Sequence, residues 1–163
     1  MRGYNAIKTG VIFTAATIGI LLSSLAAEWL AKRYAQRTLI VAGFVVTLAG
    51  IVLLIVLVGS TPSNWAFAPG LFFLGLGVGG MLTPSVNVVQ SSFPEQLQGE
   101  ISGLSRSVSN LGSSLGTAIA GTILISQFAR AHHAYATAMI VLAAFGLVGL
   151  GAALLLPKRV EPV

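Results

Sequence analysis

TLIVAGFVVTLAGIVLLIVLVGSTPSNWAFAPGLFFLGLGVGGMLTPSVNVVQSSFP, residues 38–94, runs for 57 positions without an Asp, Glu, Lys or Arg. Soluble domains are about 25% charged, so chance would produce such a run about once in ten million trials. A hydrocarbon core about 30 Å thick is crossed by roughly 20 helical residues, so this stretch holds two crossings. The turn formers GSTPSN, residues 59–64, place the break between them, because the proline ends any helix that approaches it.

Working outward, residues 9–27, 107–129 and 131–157 are also free of Asp, Glu, Lys and Arg, although His132 and His133 open the last. The pattern predicts an all-α, multi-pass transmembrane helical bundle with about five spans, over 11–30, 38–58, 65–90, 101–128 and 135–156. SFPEQLQGE, residues 92–100, separates the third and fourth spans. The turn around ARAHHA, residues 129–134, has the weakest breaker of the set. Composition agrees: 55% of the 163 residues are hydrophobic, 8% are charged, mean hydropathy is +0.91, and 19 are glycine, a residue common in membrane helices.

The net charge of +5 needs no nucleic-acid partner, because basic residues that flank spans orient them in the bilayer and no Lys/Arg cluster interleaved with aromatics is present. With the loop EWLAKRYAQR (28–37) in the cytoplasm, that side carries Lys32, Arg33, Arg37, Arg106, Lys158 and Arg159 against Arg2, Lys8 and Arg130 outside. Six against three predicts a cell-membrane protein with its N-terminus out and its C-terminus cytoplasmic. Lys8, the apolar stretch after it and SLAA also resemble a signal peptide, but the stretch is longer than such segments usually are and four more spans follow. With no cysteine, disulfides and thiolate metal sites are excluded.

GLGVGG, residues 75–80, matches the G-x-G-x-x-G of a dinucleotide-binding loop. That loop requires a strand, a tight turn and a helix in alternation, and no such pattern surrounds it. Inside a membrane helix the same letters have another meaning: Gly75 and Gly79 sit four apart on one face and let a second backbone approach. Nearby, Pro84 removes a backbone hydrogen bond, and Thr83, Ser85, Asn87 and Gln90 add polarity. Two readings stay open for these groups: they satisfy backbone freed at the proline, or they line a water-filled cavity.

ISGLSRSVSNLGSSLGTAIAG, residues 101–121, sorts by helical spacing into three faces. Arg106, Asn110, Ser113 and Thr117 form a polar stripe. Ser105, Ser109, Gly112, Gly116 and Ala120 form a small one that admits a neighbouring helix, and Leu104, Val108, Leu111, Leu115 and Ile119 form an apolar one. A cation at bilayer depth costs about 2.5 kcal/mol or more, so Arg106 either meets an anionic group of a substrate or a gating carboxylate, or snorkels to the nearby interface. Because spans one, three and four carry nearly all the intramembrane polar residues, they are expected to form the interior, with spans two and five at the periphery.

GYNAIKTGVIF, LAKRYAQR, LGLGVGG and GEISGLSRSVSNLGSSLGTAIAG, in this order and spacing, together resemble the C-terminal portion of a major facilitator superfamily transporter, most similar to the multidrug:proton antiporter branch. The resemblance covers nearly the whole chain. It implies spans one and four at the interface between transporter halves, span three at the cavity wall, and transport-lining residues Asn87, Gln90, Arg106, Asn110, Ser113 and Thr117. It also implies a gating loop in which Lys32, Arg33 and Arg37 pair with helix ends of the other half. Lys32 replaces the family's acid there and Ala35 its glycine, and a plain role as topology anchors is equally compatible. Gly75, Gly79, Gly112 and Gly116 are assigned to helix packing.

A family half has six spans and this chain supplies five, so the partners expected are the lipid bilayer, the missing N-terminal transporter half and, in the full assembly, a small-molecule substrate. The coupling carboxylates would lie in that other portion, since Glu28, Glu95, Glu100 and Glu161 all sit near helix ends, loops or the tail. The alternative is a non-transporting membrane interaction protein that packs through its glycine seams, including by self-association. An enzyme is not expected. There is no Ser/His/Asp set at depth, no H-E-x-x-H and no paired intramembrane Asp, adjacent His132 and His133 diverge on a helix, and no cofactor or metal is assigned.

Overall fold

A computed structural model describes residues 6–60, 65, 67–126 and 131–156. Five long helices follow one another: α1 (Ala6–Ala31), α2 (Gln36–Ser60), α3 (Phe67–Ser91), α4 (Gln98–Ser126) and α5 (Ala131–Leu154). All five are long and apolar enough to cross a membrane, and no strand occurs among the described residues. GLGVGG therefore lies in the middle of α3 with no strand before it, as helix packing requires and a nucleotide loop forbids.

The breakers act where the chain chemistry puts them. α2 stops at Ser60, on the edge of the GSTPSN cluster. Past α3, Pro94 takes an extended conformation (φ −62°, ψ 154°) and starts a single 3-10 turn, Glu95–Leu97, which leads directly into α4.

α3 is the centre of the bundle, flanked by α1 on one side and α2 on the other; α5 packs on α2, and α4 touches α5 and, more lightly, α3. Alternate glycines of α3 serve the two flanks. A Cβ on Gly75 would strike the Ala16 carbonyl, and one on Gly79 would strike Ser23 and Ile20 of α1. On the other side, Gly77 lies against Gly43 and Thr47, and Gly70 against Leu54. The α1 partners advance along the chain as the α3 glycines do, so α1 and α3 run in the same direction, whereas the α2 partners recede and mark an antiparallel pair.

The seam to α1 was legible from the spacing of Gly75 and Gly79. The seam to α2 is an addition: Gly43 and Gly50 in α2 and Gly70 and Gly77 in α3 are both seven apart, a two-turn repeat of small residues on each facing surface. A Cβ on Gly50 would sit 2.7 Å from Leu74 N. These contacts bring main chain against main chain.

Within this chain alone, burial does not follow the expected layers. α2, assigned to the periphery, has the largest buried share of its span at 33%, and α4, assigned to the interior, has 0%. Apolarity was the misleading signal, because an all-apolar helix faces lipid and protein equally well and α2 is held by its glycines. The polar and small faces of α4 find little to pack on within this chain.

The contrast between glycines gives a direct test. Gly75→Ala forces the α1 and α3 backbones apart and is expected to lower stability by about 1–3 kcal/mol. Gly112→Ala, where a Cβ meets nothing within 4 Å, is expected to leave stability unchanged or raise it by up to about 1 kcal/mol through helix propensity. Thermal melting of the two variants in detergent, followed by circular dichroism, separates them.

Candidate functional site: a polar cleft and an open helix face

The C-terminal end of α3 and the N-terminal end of α4 border a cleft of about 200 Å³. Its polar lining comes from Gln90 on α3 and Ser102, Ser105, Arg106 and Ser109 on α4, with Val86, Val89 and Ile101 as the apolar remainder. Gln90 Nε2 donates to Ser102 Oγ at 3.1 Å and ties the two helices together. Gln90 and Arg106 were assigned to one lining from sequence, and the fold brings them to the same cleft. Arg106 is the one charged group in that lining, and every polar side chain beside it can donate a hydrogen bond.

The rest of the predicted lining is placed differently. Asn87 is exposed on α3 one turn before Gln90, and Asn110, Ser113 and Thr117 are exposed along α4. The Thr117 hydroxyl donates to the Ser113 carbonyl at 2.8 Å, a bond within its own helix. Arg106, Asn110, Ser113 and Thr117 thus keep one helix face, but only Arg106 enters the cleft. Sequence reasoning placed Ser105 and Ser109 with the small residues and overlooked Ser102. Their spacing was the available signal, with Ser102 four residues before Arg106, Ser109 three after it and Ser105 directly before it.

The polar cluster around Pro84 divides in the same way. Pro84 is fully buried inside α3. Ser85 Oγ donates to the Met81 carbonyl at 2.6 Å, which makes it a backbone-satisfying group, while Thr83 and Asn87 are exposed.

Of the small residues, Gly75 and Gly79 are closed on α1, whereas nothing lies within 4 Å of a Cβ built on Gly112 or Gly116. The small face of α4 is therefore open at these two positions among the described residues. A second feature, missed in the sequence, lies at the opposite end of the bundle: an apolar cavity of about 330 Å³ bordered by Ile12, Leu54, Leu71, Phe67, Tyr135 and Met139 among others. Phe67 and Tyr135 meet edge to face there, with ring centroids 6.0 Å apart.

The basic loop does not act as one unit. An Arg37 Nη donates to the carbonyl of Leu154, the last residue of α5, at 2.5 Å. A guanidinium at a helix C-terminus satisfies a free carbonyl and opposes the negative end of the dipole. The helix end that Arg37 meets belongs to its own chain. Arg33 lies over the Trp29 ring, 4.4 Å from the centroid, and Lys32 is exposed.

Five helices long and apolar enough to cross a membrane, packed around a glycine-spaced centre, with a cleft holding Gln90, Arg106 and three serines at one end, define a multi-pass α-helical membrane protein. The sequence profile of the Major Facilitator Superfamily matches residues 2–163, and the chain belongs to that family. It is 32% identical over 123 residues to puromycin resistance protein pur8 of Streptomyces alboniger, covering 74% of this chain and 24% of that protein. It is 31% identical over 126 residues to the multidrug efflux pump LfrA of Mycolicibacterium smegmatis, covering 77% and 25%. It is 28% identical over 124 residues to the multidrug resistance protein Stp of Mycobacterium tuberculosis, covering 76% and 23%. The matched part spans about a quarter of the length of these relatives.

Arg37→Gln removes the cap on α5 and is expected to weaken its last turn by about 1 kcal/mol. Hydrogen exchange of residues 150–154, measured by mass spectrometry, should then quicken about fivefold, a factor that corresponds to this energy. Arg33→Gln, at a side chain that rests on the Trp29 ring, should leave the same peptides unchanged.

Proposed function

We propose that this chain is the C-terminal part of the transmembrane domain of a drug-efflux transporter, which exports small molecules by proton antiport when completed by an N-terminal half. The reading rests on α4. Its stripes Arg106, Asn110, Ser113, Thr117 and Ser105, Ser109, Gly112, Gly116 lie on a helix of which no residue in the spanning window is buried. Such a face is unfavourable against acyl chains and favourable against another helix or a water-filled path. α1 and α4 would meet the other half, and the cleft between α3 and α4 would open onto the transport path. Alternating access, in which one bundle rocks against another around a midplane site, then needs both halves.

The relatives named as efflux and resistance proteins support an exported small-molecule substrate, and their greater length supports a missing portion. In this assembly Asn87, Gln90 and the α4 stripe line the path, the N-terminus faces out and the C-terminus faces the cytoplasm. The coupling acid is supplied by the other half, and no catalytic group or cofactor is assigned. Self-association through both glycine seams is less well supported, because Gly75 and Gly79 are already occupied by α1.

The test is an efflux assay on the complete transporter in a drug-sensitive host. Gly112→Leu should lower drug export about tenfold with normal membrane expression, as a bulky side chain in a close helix contact costs about 1–3 kcal/mol. Arg106→Ala should lower export as well. Export at the parental level in both variants overturns the role given to α4.

A further inference from the structure

The corner where α1 passes into α2 carries a cluster that neither the packing nor the proposed transport path uses. α1 ends at Ala31, two residues past Trp29, and α2 starts at Gln36. Trp29 is 54% exposed and Tyr34 is 55% exposed, so two large rings with polar tips are about half exposed at a span end. This is where amphipathic aromatics settle in a bilayer, at the level of the headgroups.

The cations at this corner have different commitments. Arg37 is engaged with the end of α5. Arg33 rests its flat face on Trp29, an arrangement that uses the π face of the guanidinium and leaves its N–H edges available as donors. Lys32 is exposed beside it. Across residues 28–37 there are three cations and one acid, Glu28, which leaves a net charge of +2.

The start of α2 reinforces that charge. Its first turn holds no acidic residue, and the residue before it, Ala35, has no side-chain acceptor for a cap. The first backbone N–H groups of that helix to bond are those of Thr38 and Leu39, both to the Ala35 carbonyl. The positive end of the helix dipole therefore points into the same corner as Lys32 and Arg33.

We infer that Trp29, Lys32, Arg33 and Tyr34 form a binding site for the phosphate headgroup of an anionic phospholipid, with the two rings seated at the acyl–headgroup boundary. Each cation near an anionic membrane surface favours association about fivefold, and cation–π contact with Trp29 fixes the direction of one of them. The carboxylates that share this end of the bundle are Glu95 in the 3-10 turn and Glu100 in the first turn of α4, and Glu28 directly precedes Trp29 in the sequence. A lipid phosphate must compete with these for the two cations, which is a question the experiment reads directly.

The chain has two tryptophans, Trp29 at this end and Trp65 at the other, so each serves as a local probe once the other is replaced. The full chain carrying Trp65→Phe is placed in nanodiscs of phosphatidylcholine with an equal mole fraction of either brominated phosphatidylglycerol or brominated phosphatidylcholine. Quenching of Trp29 should be several-fold stronger with the anionic lipid, and Lys32→Ala/Arg33→Ala should remove the difference. Trp65, read in the Trp29→Phe chain, should show no preference. Equal quenching of Trp29 by the two lipids overturns the site. Loss of the preference on adding inorganic phosphate, but not chloride at matched ionic strength, also overturns it, because the corner then takes free phosphate in place of a lipid.

Discussion

The arrangement depends on main chain reaching main chain across α3. Lipid tails are as apolar as leucine, so the apolar surface of a membrane helix gains little by leaving lipid for another helix, and close van der Waals contact must hold the bundle. Gly75 and Gly79 provide it toward α1, and Gly70 and Gly77 toward α2. Because the two sets occupy different faces of one helix, α3 is gripped from both sides, and everything else is positioned from it. α5 joins through α2, with Gly146 and Gly149 lying against Leu48 and Phe44, and Arg37 fastens its end.

The same physics explains how a chain with few charges carries so many hydroxyls at depth. Thr14, Thr47, Thr117 and Thr122 each donate to the carbonyl four residues earlier, at 2.8–3.0 Å. A hydroxyl bonded to its own helix needs no partner from a neighbour, so these threonines do not mark a water-filled path merely by being polar. Gln90 is different: its carboxamide reaches across to Ser102 on α4, and that is the bond that defines the cleft.

Spans and breaks were legible because charge depletion and proline act locally. The uncharged run at 38–94 and the turn formers within it fixed two helices with no knowledge of their neighbours, and Gly75 and Gly79 named a seam. The identity of the neighbour was not legible, since a glycine pair states that something approaches and not what. The same limit governed the layers: α2 reads as uniformly apolar, and only the register of Gly43 and Gly50 against Gly77 and Gly70 shows it to be the most buried span. In the candidate site, Arg106 and Gln90 stood out as polar groups among apolar ones. Ser102 joined them only through the crossing of α3 and α4, which lies outside any one-helix pattern.

Arg106 brings two readings of a membrane cation together. It lies eight residues past Gln98, about 12 Å along the axis of α4, in the first third of that 29-residue helix. A guanidinium on a long stem can return to the interface by snorkelling, and the cleft containing Gln90, Ser102 and Ser105 lies on that side. The polar groups that make the return inexpensive are the same groups that would hydrate a solute entering between α3 and α4. An interfacial anchor and the path lining proposed above therefore call for the same groups. What differs is the face beyond it: Asn110, Ser113 and Thr117 are exposed along α4, and polar groups at that depth are unfavourable against acyl chains.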